Sequence, residues 1–204
     1  MDMNPRIPRI CFIHIPKCGG TSIRNAFFSL DYFSGEGHQS DRAHEQMFPD
    51  QFDGFITQTR HPYSRIVSEF NFMHKQYQKF PLMKPELEQH INLDINQWVS
   101  LLGSLGEEFQ AIDKSKGYFH PRYGLKPQTW YVRNRSTELF KLEDYSIWTY
   151  LWNIGIKVPV TWSRQSLPTE KNPVLQTVNS LTYYSKELIR DKYYNDFKEL
   201  GYEG

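Results

Sequence analysis

The sequence predicts an α/β protein: a three-layer fold in which a parallel sheet is flanked by helices. Three observations predict it. Short apolar segments rich in β-branched residues alternate with segments whose apolar residues recur at helical spacing. Two of the short segments run straight into a turn and then a helix, as parallel strands require. Hydrophobic residues make up 39% of the 204 positions against 23% charged, the balance of a globular chain with a core. That length is expected to form a single domain over residues 1–204.

Each element has its own signal. Residues 9–15 (Arg-Ile-Cys-Phe-Ile-His-Ile) are a buried strand ended by Pro16. Lys17-Cys18-Gly19-Gly20 is a turn, and Thr21 or Ser22 is expected to cap a helix. That helix carries Ile23, Ala26, Phe27 and Leu30 at i, i+3, i+4 and i+7. Residues 31–52 are polar and are expected to be loop, with a short helix near Asp41–Met47. Residues 53–59 are a second strand, and Pro62 opens a helix bearing Tyr63, Ile66, Val67, Phe70, Met73 and Tyr77. Residues 80–93 are irregular. Asp94 and Gln97 make a capping box ahead of Trp98, Leu101 and Leu102, with Gly103 as the stop. Residues 104–137 are mixed, with loops around Gly117 and Gly124. Residues 138–142 are a third buried strand, and a helix from Tyr145 to Asn153 is ended by Gly155. A polar loop covers 163–179, and a last helix runs from Thr182 to Leu200 with Gly201 just beyond.

Charge narrows the range of functions. There are 24 basic and 23 acidic residues, a net charge of +1, which gives no general case for nucleic acid or a membrane surface. An anion site must therefore be built locally. Cys11 and Cys18 are too few for a disulfide framework, and reduced thiols fit a cytoplasmic chain. No apolar run approaches the ~18 residues of a membrane span, and residues 1–9 carry no signal-peptide stretch. The aromatic share, 16%, serves either a ring-packed core or a groove for a flat or sugar-like ligand.

Two segments carry chemistry, and both fall where open α/β sheets bind ligands, beyond the carboxyl ends of strands. The first is His14-Ile15-Pro16-Lys17-Cys18-Gly19-Gly20-Thr21-Ser22. Its glycines let backbone amides approach an anion, the following helix offers its positive end, and Lys17, Thr21 and Ser22 add donors. The same residues could also serve as a plain helix-starting turn with a surface lysine. The second is Arg60-His61-Pro62-Tyr63-Ser64-Arg65-Ile66-Val67-Ser68, with an arginine at the strand end and a serine eight residues later. Arginine grips a phosphate through parallel N–H bonds and serine adds one more.

The order Pro-Lys-x-Gly-Gly-Thr-Ser after a strand differs from the nucleotide-binding G-x-x-x-x-G-K-[ST] pattern, in which lysine follows the glycines. It resembles the 5′-phosphosulfate loop of sulfotransferases that use PAPS (3′-phosphoadenosine-5′-phosphosulfate), most closely the carbohydrate-type family 2 group. Cys18 departs from that group, where threonine is usual. The Arg60–Ser68 segment resembles the same family's 3′-phosphate site. The resemblance implies a P-loop-type fold and O-sulfation of a hydroxyl, on a carbohydrate or another small acceptor, with PAP as product. It implies that Lys17, Gly19, Gly20, Thr21 and Ser22 hold the 5′-phosphosulfate, that Lys17 stabilises the leaving oxygen, and that Arg60 and Ser68 hold the 3′-phosphate. Arg65 either joins them or orients the loop by pairing with an acidic neighbour.

An acceptor hydroxyl must also lose a proton, for which a histidine is suited. His38, between the two segments and 22 residues before Arg60, is the candidate base, with His44 and Glu36 in reserve. His14 is expected to be structural, and His61 to pack beside the phosphate loop. The histidines show no metal-ligand spacing, and no metal is expected. More loosely, His120-Pro121 and Pro127–Tyr131 resemble a region lining the acceptor cleft. Leu142-Glu143-Asp144-Tyr145 resembles a fold-supporting strand end, and Lys171-Asn172 a cofactor-closing loop. The rival functions are a P-loop nucleotide kinase or NTPase, and a non-catalytic PAP-binding module.

Overall fold

The computed structural model describes residues 8–27, 33–34, 38–79, 92–104, 124–133, 136–156 and 175–204. Leu30, Glu36, Gly117, His120-Pro121 and Lys171-Asn172 lie outside the described residues, as do the side chains of Phe27 and Tyr77. The chain divides into two compact units, each assembled from two stretches: residues 1–60 with 128–166, and residues 61–127 with 167–204.

The first unit holds the sheet. Strands β1 (Ile10–Ile13), β2 (Phe33–Ser34), β3 (Gly54–Thr59) and β4 (Thr137–Lys141) are all parallel, in the order β2-β1-β3-β4. Side chains alternate across the sheet. Ile10, Phe12 and Ile56 face Ile23 of helix α1 (Gly20–Phe27) and Ile147 and Leu151 of a helix over Ser146–Asn153. Cys11, Ile13 and Phe55 pack on the other face with Ile15, Cys18 and Tyr131. This is the expected α/β architecture.

Polar residues of β3 are buried because they bond the neighbouring backbone. Thr57 Oγ1–H donates to the Ile13 carbonyl at 2.7 Å and Thr59 Oγ1–H to that of Phe140 at 3.3 Å. Helix α2 (Asp41–Met47) matches its predicted span, and Ser40 caps it by accepting the Ala43 N–H at 3.2 Å. The buried Asp41 carboxylate accepts the Arg133 N–H at 3.0 Å and the Thr137 hydroxyl at 2.9 Å, tying α2 to the start of β4.

Several boundaries differ from expectation here. Strand β3 begins at Gly54 rather than at residue 53, and β4 covers 137–141 rather than 138–142; expected to be buried, β4 leaves Glu138 and Leu139 exposed. The first strand stops at Ile13, so His14 and Ile15 lie in the following turn. Helix α1 begins at Gly20: the Ser22 N–H already bonds the Gly19 carbonyl at 3.0 Å, so Thr21 and Ser22 sit in the first turn rather than capping it. Strand β2 falls in a segment expected to be loop, since two residues carry no period to detect.

The second unit is helical: α3 (Pro62–Lys79), α4 (Ile95–Ser104), then, beyond the first unit's Ser146–Asn153 helix (α5), α6 (Tyr183–Lys192) and α7 (Tyr194–Glu199). Tyr63, Ile66, Val67, Phe70 and Met73 of α3 pack with Trp98 and Leu102 of α4 and with Ile189, Tyr193 and Phe197. The capping box forms as predicted. The Asp94 carboxylate accepts the Gln97 backbone N–H, and the Gln97 side-chain Oε1 accepts the Asp94 backbone N–H, both at 2.9 Å. Helix α4 runs one residue past Gly103.

The expected helix over 182–200 is two helices. Thr182 caps the first as its side chain accepts the Ser185 N–H at 3.2 Å. Tyr193 leaves helical geometry, and its buried hydroxyl donates to the Leu125 carbonyl at 2.8 Å. That tertiary bond fixes the break. Gly201, at φ 66°, ends the second helix as predicted. Arg65, Glu69 and Asp196 are buried around the same ring. Burial, with the two carboxylates, holds its phenol protonated well above the ordinary range, while the Arg65 guanidinium acts the other way.

Candidate functional site

Strands β1 and β3 are parallel neighbours, so both deliver the turns that follow them to the same sheet edge within the first unit. In the turn after β1, Lys17 (φ 66°) and Gly19 (φ 78°) are left-handed. Such turns bend successive amides toward one concavity, the geometry of an anion nest. The first-turn amides of α1, which begins at Gly20, have no partner inside the helix.

The glycines are required by space. A Cβ on Gly19 would stand 2.8 Å from Leu142 Cδ1, and one on Gly20 would run into the His14 ring, 2.6 Å from Nε2. The same Cβ on Gly19 would stand 3.1 Å from Gln58 Oε1, and the buried Nε2 of Gln58 has no hydrogen-bond partner among the described residues. An unsatisfied buried donor beside a glycine turn fits an anionic ligand.

Arg60, the first residue of the second motif, meets the first motif inside the first unit. Arg60 Nη1–H donates to the Lys17 carbonyl at 3.2 Å. Gln128, fully buried, accepts the Arg60 backbone N–H at Oε1 (2.8 Å) and donates from Nε2 to the Arg60 carbonyl (2.8 Å). The same Oε1 accepts the Cys18 thiol at 3.2 Å. Cys18 thus donates a hydrogen bond at the position where the resemblance led us to expect threonine, and both cysteines are free thiols.

His38 stands beside this turn. Its Nδ1 is 2.8 Å from the His14 carbonyl, which can only accept, so Nδ1 carries the proton and a neutral ring presents its lone pair at Nε2. The two rings lie 4.4 Å apart. Burial, then the charges of His38, Arg24 and Lys17, hold His14 down at about 3. The permanent charges of Arg24 and Lys17 make the local field positive, which suits an anion.

The remaining predicted residues fall as follows. Thr21 and Ser22 occupy the first turn of α1. Ser68 belongs to the second unit, half-buried in α3. His44 is buried under Phe48, its pKa lowered by burial against the opposing Asp41 charge. His61 packs among Tyr63, Phe197 and Tyr202 of the second unit. Sequence reasoning passed over Gln58 and Arg24 and assigned Gln128 to an acceptor cleft. A glutamine in a strand reads as one polar half of an alternation, and nothing local ties residue 128 to residue 60. Among the described residues no cluster of histidine, cysteine, aspartate or glutamate could hold a metal ion, and no helix is long and apolar enough to cross a membrane.

The fold and the turn together define an α/β protein with a left-handed glycine turn leading into a helix at the carboxyl end of its parallel sheet. The family model described as the sulfotransferase family matches residues 1–104, half of the chain. The chain belongs to the sulfotransferase family, and its activity is sulfuryl transfer. No curated protein and no solved structure matches it significantly.

Proposed function

We propose that this chain transfers the sulfuryl group of PAPS to a hydroxyl, on a carbohydrate or another small acceptor, with His38 as the base. The observation that carries the reading is the bond from the Arg60 guanidinium to the Lys17 carbonyl at 3.2 Å, which sets the arginine of the second motif against the first motif. PAPS, when bound, supplies an activated sulfuryl group and a phosphate leaving group. Lys17 offsets the negative charge that grows on the leaving oxygen. Gly19 and Gly20 lend backbone amides to the 5′-phosphosulfate, and Thr21 and Ser22 add hydroxyl donors. Arg60 binds the 3′-phosphate, and the sequence motif assigns Ser68 to the same phosphate. His38 Nε2 removes the acceptor proton, with the ring held by its Nδ1 bond to the His14 carbonyl.

Calorimetric titration with PAP tests the assignment. Lys17→Ala and Arg60→Ala should each weaken binding at least about tenfold, since each removes a charge-assisted contact. Undiminished binding in both variants defeats it. A preference of the unaltered protein for ATP with magnesium over PAP would favour the kinase reading instead.

A further inference from the structure

We propose that Gln128 is a positioning residue for the nucleotide, fixing Arg60 against the Lys17–Ser22 turn so that the two turns act as one receptor. The inference rests on the reading of Lys17 and Arg60 as phosphate ligands. Strand β3 ends at Thr59, whose carbonyl accepts the Leu142 N–H at 2.8 Å. One residue later, Arg60 has left the ladder. The Gln128 amide replaces a strand neighbour there, meeting both the N–H and the carbonyl of Arg60 at 2.8 Å.

A primary amide donates and accepts side by side from one planar group, which a carboxylate cannot do. The Gln128 oxygen is shared with the Cys18 thiol, so a single buried atom touches the turn after β1 and the turn after β3. Gln128 itself is held by backbone, in a 3₁₀ turn over Gln128–Trp130 closed by the Tyr131 N–H on the Gln128 carbonyl at 2.9 Å. Deleting the amide leaves that turn intact and unties Arg60. Nucleotides that engage Arg60 should then suffer more than those that do not.

The test compares PAP with 5′-AMP, which lacks the 3′-phosphate, by calorimetry on the full chain. The unaltered protein should prefer PAP. Gln128→Met, of similar volume, should keep a cooperative thermal transition, lose at least about tenfold for PAP and change less than about threefold for 5′-AMP. Gln128→Glu keeps an acceptor oxygen but sets a carboxylate against the Arg60 carbonyl. Its PAP affinity relative to the unaltered protein should recover as pH falls from about 7.5 to about 5.5, where a protonated carboxyl donates again. This arm stands even if Gln128→Met fails to fold. An unchanged PAP to 5′-AMP preference in the variants, or no pH recovery in Gln128→Glu, overturns the inference. Failure of the unaltered protein to bind PAP would instead defeat the reading beneath it.

Discussion

Lys17 adopts a left-handed backbone that costs a non-glycine residue about 1–2 kcal/mol, and the Arg60 guanidinium holds its carbonyl in place. Strain of this kind persists where surrounding bonds over-determine it. His38 shows the same economy, one ring nitrogen anchored and the other directed by that anchor. His38→Ala should therefore leave PAP binding within about twofold while abolishing most PAP formation from PAPS in the presence of an acceptor sugar. General-base losses run to about 10²–10⁴-fold. Full turnover in that variant would remove His38 as the base. His14 governs stability rather than chemistry. An unfolded His14 takes up a proton near 6.5, whereas the native ring waits until about 3. Its contribution is complete above about pH 6.5 and is lost as pH falls through that window, at up to about 1.4 kcal/mol per pH unit. His44 and His74, lowered chiefly by burial, act in the same direction. Urea midpoints should be lower near pH 5 than near pH 7.5, and equal midpoints would contradict the buried, neutral His14.

The turn before α1 and the ring of His14 are one steric unit, because Gly20 leaves room that the imidazole fills. Gly20→Ala should cost about 1–3 kcal/mol by over-packing and weaken PAP binding along with it, as read by melting temperature and calorimetry. A variant as stable as the original would mean that the ring yields freely. Elements with a strong local signal were legible in the sequence. Helix α3 showed its apolar stripe, α4 its capping box and α2 its full span. What escaped was set by partners far along the chain. Nothing near Tyr193 announces a helix break; the cause is a bond to Leu125, 68 residues away. The same separation divides Gln128 from Arg60. The glycine turn and the arginine were visible because their chemistry is local, and the amide that locks them was not.

Across the whole molecule, the half of the chain that matches the family carries both phosphate motifs but lacks β4, Gln128 and Tyr131. A fragment of residues 1–104 is expected neither to fold cooperatively nor to bind PAP, as judged by circular dichroism and calorimetry; a fragment that did both would show that the lock is dispensable. The interlacing of the two units is the reason, since neither is encoded by a continuous stretch. That interlacing also bears on biosynthesis. While the ribosome is still translating toward residue 141, β3 has no β4 beside it. Its bare edge can recruit the wrong strand from another nascent chain, so overproduction should favour inclusion bodies unless translation is slowed or a chaperone shields that edge.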